Sequence, residues 1–140
     1  MKSLKDTKIC VVGLGYVGLP LAVELAKLYV TVGFDTNSKR VTEISEGIDT
    51  TLEVNSDVLL ESPLLSITND QSLIIDSNVF IITVPTPIDE NRQPDLTSLI
   101  KASEMVGKAL KKDDVVIYES TVFPGATEDY CVPVLENNSS

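Results

Sequence analysis

The sequence predicts an α/β fold: a doubly wound parallel sheet covered by helices on both faces, in three layers. Three observations predict it. Short apolar runs alternate along the chain with segments whose apolar residues recur at helical spacing, and that alternation produces right-handed crossovers and a parallel sheet. The core supply is aliphatic: 43% of the 140 residues are hydrophobic, only 5% are aromatic, and tryptophan is absent. That bias suits strands buried on both faces. Finally, the first apolar run breaks on a cluster of glycines and is followed directly by a helical pattern.

Lys8–Val12 (KICVV) reads as a buried first strand, ended by Gly13. Residues 16–28 carry Val17, Leu21, Leu25 and Leu28 at helical spacing and predict a helix. Val30–Phe34 is a second strand closed by Asp35, and Asn37 is placed to cap a helix over 38–46. Residues 48–62 mix Thr, Glu, Asn and Asp with short apolar pairs and predict an excursion with one short helix. Leu65–Thr68 is a third strand and 71–77 a helical turn. The run VFIITV over 79–84 is a fourth strand, stopped by Pro85 and Pro87, since proline cannot continue a central ladder. Residues 95–111 form an amphipathic helix with Leu96, Leu99, Met105, Val106 and Leu110 on one side. Residues 114–118 are a fifth strand, Pro124–Gly125 turns the chain, 126–135 is the last helix, and 136–140 (ENNSS) reads as a frayed end.

Composition narrows the function. A formal charge of −10 argues against nucleic acid, which needs clustered Lys and Arg. It leaves phosphate-bearing ligands open, because a helix N-terminus binds phosphate through backbone N–H groups. With two cysteines and no histidine, a zinc site lacks ligands. Cys10, inside an apolar run, and Cys131, on a helix, read as structural residues. The polar start and the lack of any apolar run near the roughly 20 residues needed to cross a bilayer predict no membrane partner and a cytoplasmic location. Lys108, Lys111 and Lys112 at a helix end read as solvent-facing.

Gly13-Leu14-Gly15-Tyr16-Val17-Gly18 fits G-x-G-x-x-G between a strand and a helix, the context that makes this pattern a Rossmann-type dinucleotide fingerprint. Gly13 permits the tight turn, Gly15 lets the backbone approach a pyrophosphate, and Gly18 lets the helix pack closely. Leu14, Tyr16 and Val17 complete the cradle. Asp35, about 20 residues on, stands where a carboxylate accepts the adenosine ribose hydroxyls. A carboxylate there repels the 2′-phosphate of NADP and favours NAD. Lys39 and Arg40, one helical turn later, argue the other way. We place Arg40 near the adenine ribose, with a solvated surface charge as its alternative.

Further segments carry a family resemblance. KICVVGLGYVGLP (Lys8 to Pro20), Val84-Pro85-Thr86-Pro87, Pro94-Asp95-Leu96, and Tyr118 to Gly125 (YESTVFPG) occur in order along essentially the whole chain. Together they resemble the amino-terminal NAD-binding domain of the UDP-glucose/GDP-mannose dehydrogenase family, the nucleotide-sugar 6-dehydrogenases. V-P-T-P-I-D and Y-E-S-T-V-F-P-G-A-T-E look most like the bacterial enzymes acting on UDP-N-acetylglucosamine or UDP-N-acetylgalactosamine for surface polysaccharides. UDP-glucose members usually carry Lys where Glu119 stands.

The resemblance implies oxidation of a C6 alcohol to a carboxylate with two NAD, through a thiohemiacetal and thioester on a catalytic cysteine. It implies that Thr121 positions a water or substrate oxygen near the nicotinamide, and that Val84, Pro85, Thr86, Ser120 and Thr121 line the cofactor groove. Thr121 could instead cap a helix beginning near Gly125, and Thr86 could be a turn residue between two prolines. The family's catalytic lysine, asparagine, cysteine and aspartate fall beyond Ser140, and Cys131 does not match the nucleophile. The chain therefore reads as residues 1–140 of a longer enzyme, lacking the central helix and the UDP-binding domain, inactive alone and homodimeric when complete. Alternatives are a UDP-glucose 6-dehydrogenase, another NAD enzyme with the same start, and a non-catalytic NAD/NADH sensor.

Overall fold

A computed structural model of the chain describes residues 4–119 and 127–139. Five strands make one all-parallel sheet: β1 (Lys8–Val12), β2 (Val30–Phe34), β3 (Leu65–Thr68), β4 (Val79–Ile82) and β5 (Val115–Tyr118), in the order β3-β2-β1-β4-β5. The winding runs outward from β1 to β3, then returns to the other side of β1 with β4. The point of reversal, between β1 and β4, is where an open α/β sheet leaves a crevice beyond its strand ends.

The pleat of β1 decides the two cores. Ile9 and Val11 face one side, with Ile81 of β4, and are covered by α1 (Gly18–Leu25), α2 (Ser38–Ser45) and α3 (Ser56–Leu60) through Leu19, Ala22, Ile44 and Leu59. Cys10 and Val12 face the other side, with Phe80 and Ile82, and are covered by α4 (Thr97–Ala109) and α5 (Val132–Asn138). The edge strand β5 is asymmetric: Val116 and Tyr118 pack on the α4 side, whereas Val115 and Ile117 are exposed. No described helix is long and apolar enough to cross a membrane.

Three strands and the Asn37 cap stand as the sequence predicts; the Asn37 side chain accepts the Arg40 N–H. The helix expected over 16–28 is shorter. The glycine turn consumes residues up to Val17, and beyond Leu25 the chain turns so that Leu28 faces solvent. The helix expected over 95–111 starts at Thr97 because Asp95 accepts the Thr97 N–H, and it stops at Ala109 because Leu110 is extended. The second helix ends one residue early, at Ser45, and the 71–77 turn is a 3₁₀ turn over Gln71–Ile74.

β4 ends at Ile82 rather than at 84, and β5 begins at Val115. The last helix is displaced: a π-turn over Thr127–Cys131 leads into α5, with Pro133 in its first turn, where a missing N–H costs nothing. The helix reaches Asn138, so residues 136–138 are helical, not frayed. Lys111 does not simply face solvent. Its ammonium donates to the Ile75 and Ser77 carbonyls, which the end of the 3₁₀ turn leaves without helical partners.

Candidate dinucleotide-binding site

Gly13 leaves β1 with φ +98°, a conformation that a side chain resists. Its N–H donates to the Phe34 carbonyl at 2.8 Å, pinning the turn to the end of β2. A Cβ on Gly18 would collide with the Gly13 carbonyl and the Thr83 hydroxyl, so only glycine lets α1 start this close to β1. A Cβ on Gly15 would meet nothing within 4 Å. The second glycine thus faces open space, the property a backbone needs if a phosphate is to lie against it. Among the described residues no side chain caps the start of α1, which leaves its N-terminal dipole open to a ligand anion.

The peptide of Leu14 is held at both ends. Its N–H donates to Asp35 Oδ2 at 2.9 Å, and its carbonyl accepts from Arg40 Nε at 2.7 Å. The Leu14 side chain is fully buried and packs into the core. Asp35 Oδ1 accepts the Asn37 N–H at 2.9 Å. Each carboxylate oxygen keeps a further lone pair, enough to accept a sugar hydroxyl.

Arg40 is neither solvated nor free. It is buried, and its Nη1 pairs with Asp49 Oδ1 at 2.9 Å. Its Nη2 is the one described buried side-chain polar atom without a partner. Burial pushes the Asp49 acid up, but hydrogen bonds from Thr51, Arg40 and the Val54 N–H outweigh it and hold the carboxyl down at about 2.

The opposite wall begins at Thr83, which sequence reasoning missed. Its hydroxyl lies 2.7 Å from the Gly13 carbonyl and 3.1 Å from that of Val12, and so ties β4 to the glycine turn. Its only signal is position, a hydroxyl between an apolar strand and V-P-T-P. Asp49 was missed as well, because the 48–62 excursion has no periodicity that marks it. Beyond Thr83, the residues Val84, Pro85 and Thr86 line the cleft, and α4 closes it with Lys101 and Met105. The cleft measures roughly 1090 Å³, room for a dinucleotide. Tyr16 and Val17 stand at its mouth, 70% and 48% exposed. Ser120 and Thr121, together with the Pro124–Gly125 turn, lie outside the described residues.

A glycine turn open at Gly15, an acid at the end of β2 and a cleft at the reversal point fit a dinucleotide. The family model for the UDP-glucose/GDP-mannose dehydrogenase family, NAD binding domain, matches residues 7–140. The chain belongs to this family.

Its cofactor is NAD, as the family's domain specifies. Among members of the UDP-glucose/GDP-mannose dehydrogenase family, it is 62% identical over 136 residues to a UDP-N-acetyl-D-glucosamine 6-dehydrogenase of Pseudomonas aeruginosa, covering 97% of this chain and 32% of that one. It is 52% identical over 139 residues to the enzyme of that description from Salmonella typhi, covering 99% of this chain and 33% of the relative. Of solved structures, UDP-D-ManNAc dehydrogenase from Pyrococcus horikoshii superposes with a TM-score of 0.88 at 36% identity, over 95% of this chain and 32% of that one. A ternary complex of GDP-mannose dehydrogenase from P. aeruginosa gives 0.86 at 29% identity, over 94% and 32%. The resemblance read from the G-x-G-Y-V-G-L-P, V-P-T-P and S-T-V-F-P-G segments is borne out. The chain spans about a third of the length of these relatives.

Proposed function

We propose that this chain is the amino-terminal NAD-binding part of a UDP-N-acetylhexosamine 6-dehydrogenase that serves surface-polysaccharide synthesis in the cytoplasm. The observation that carries the reading is the doubly held Leu14 peptide beside the open face of Gly15. It sets the open Gly15 face and the helix N-terminus toward a pyrophosphate, with the Asp35 carboxylate within the same unit for the ribose. The 62% identical relative, a UDP-N-acetyl-D-glucosamine 6-dehydrogenase, supports the choice of sugar.

In this reading Gly13, Leu14, Gly15, Tyr16, Val17 and Gly18 receive the pyrophosphate, Asp35 meets the adenosine ribose with Arg40 near it, and Val84, Pro85, Thr86 and Ser120 flank the cofactor on the β4 and β5 side. Thr121 touches the reacting end. NAD supplies the hydride acceptor. Taking a C6 alcohol to a carboxylate removes four electrons as two hydrides and adds one water oxygen, so each sugar consumes two NAD. The substrate-binding part and the nucleophile belong to the remaining two-thirds of a homodimeric parent.

Two measurements test this. Calorimetry on the chain should show weak NAD binding and weaker NADP binding; a preference for NADP would sink the assignment of Asp35. The parent enzyme should release two NADH per UDP-N-acetylglucosamine, and the 140-residue chain none. NADH formed by the chain alone with that sugar would overturn the division of labour.

A further inference from the structure

We propose that Asp49 is a positioning residue for the cofactor turn: through Arg40 it fixes the Leu14 carbonyl, and with it the Leu14–Gly15 peptide. The proposal rests on the reading of this turn as the pyrophosphate site.

The chain of contacts is short. Arg40 Nε donates to the Leu14 carbonyl at 2.7 Å, while Nη1 donates to Asp49 Oδ1 at 2.9 Å and lies 3.4 Å from the Thr50 hydroxyl. The guanidinium fork is rigid, so whatever holds Nη1 also aims Nε. Asp49 in turn has no freedom to follow Arg40. Its side chain is fully buried, and it accepts the Thr51 N–H at 2.9 Å, the Thr51 hydroxyl at 2.6 Å, and the Glu53 and Val54 N–H groups at 2.9 Å each. The loop after α2 is wrapped around this one carboxylate. Leu52 within it stands at φ +59° and is 89% exposed, and of the loop's apolar residues Val54 packs against the core, so the carboxylate and Val54 together anchor the loop.

A stability role alone accounts poorly for this arrangement. Burying an ion pair costs desolvation that its attraction often only balances, and the remaining Nη2 has no partner among the described residues. What the pair does achieve is direction: one donor aimed at the carbonyl of the residue whose N–H Asp35 already holds. With Asp49 neutralised, a buried guanidinium loses its counter-charge and turns toward the solvent of the cleft, releasing Leu14. The excursion over 48–54 therefore sets the turn geometry from a distance of 35 residues in sequence, the 26 from Leu14 to Arg40 plus the 9 from Arg40 to Asp49.

The experiment is a double-mutant cycle read by NAD calorimetry on the whole chain, at a temperature where circular dichroism shows every variant folded. Asp49→Asn keeps shape and loses charge; it should raise the NAD Kd about tenfold, the worth of a charge-assisted hydrogen bond. Arg40→Met should raise it at least as much, and the double variant no further. Asp49→Glu should recover part of the loss. An Asp49→Asn Kd within about twofold of the unchanged chain, or an undiminished loss in the Arg40→Met background, would overturn the proposal. Should Asp49→Asn fail to fold, Thr51→Val removes one donor to the carboxylate and must still raise the Kd. In the ligand-free chain, the Arg40 Nε–H resonance must exchange slowly and shift in Thr51→Val; exchange as fast as in free arginine defeats the proposal. That measurement needs no NAD, so a chain that bound no NAD would sink the cofactor site while the coupling stood or fell on its own.

Discussion

Asp35 accepts the backbone N–H of Leu14 at 2.9 Å, so the acid that closes β2 and the peptide at the centre of the glycine turn form one unit. The same carboxylate is therefore part of the frame and, in the proposed function, the acceptor for the ribose as well. Asp35→Ala should weaken NAD binding by about 10- to 100-fold, the range expected for losing charge-assisted hydrogen bonds. Asp35→Asn, which keeps an acceptor for Leu14, should lose less and should narrow the gap between NAD and NADP. Calorimetry with both nucleotides reads this, and unchanged NAD affinity in Asp35→Ala contradicts it.

The glycines of the turn should separate by substitution. Gly18→Ala drives a methyl into the Gly13 carbonyl and the Thr83 hydroxyl, and should destabilise the fold by about 1–3 kcal/mol or more. Gly15→Ala points into open space and should leave the thermal midpoint within a few degrees, roughly the spread of a neutral surface change, while NAD binding is lost. Calorimetric melts and NAD titrations of the two variants decide it. Equal effects of both on stability would mean that Gly15 is also a packing position.

Thr83→Val removes a hydroxyl at nearly constant volume. The Gly13 carbonyl then loses its 2.7 Å partner. A cost of about 1 kcal/mol in urea unfolding is expected, with a several-fold rise in the NAD Kd. A variant as stable and as tight as the parent chain would show that β4 and the turn are held by backbone alone.

Three shifted groups, Asp49, Cys10 and the half-buried Tyr118, make stability depend on pH at its extremes. Hydrogen bonds that outweigh burial hold Asp49 at about 2, below its ordinary 3.8. Its stabilisation is complete above that ordinary value and is lost as pH falls through about 2. Burial pushes the Cys10 thiol from 9.0 up to about 12, and the partial burial of Tyr118 outweighs its Ser103 hydrogen bond and pushes it from 10.0 to about 12. Their stabilisation is complete below the unfolded values and disappears as pH rises through about 12. Urea unfolding across pH should show both slopes, and Asp49→Asn should flatten the acid one. An acid limb that is the same in the wild-type chain and in Asp49→Asn would remove Asp49 from the account.

Much of the architecture was legible because strand ends are punctuated. Lys8–Val12 stops at Gly13 and Val30–Phe34 at Asp35, so both limits could be read from residue type. Helix starts were harder. Val17 satisfies the spacing of α1, yet the turn claims it, because backbone geometry at Gly13 and Gly18 outranks apolar periodicity there. Arg40 and Lys111 were illegible for another reason. Their partners, Asp49 and the Ile75 and Ser77 carbonyls, come from segments with no regular pattern, and only the fold brings them together. Thr83 shows the same limit, since a hydroxyl does not announce which carbonyl it will meet.

Tyr16 carries a practical consequence. The chain has no tryptophan and four tyrosines, so its ultraviolet emission is tyrosine emission alone. Tyr118 is half-buried with its hydroxyl 2.7 Å from Ser103, while Tyr16 projects from the mouth of the cleft. A reduced nicotinamide cofactor absorbs where tyrosine emits. In the proposed reading the wild-type chain thus holds an intrinsic optical gauge of cleft occupancy, and titrating it needs neither a dye nor an engineered fluorophore.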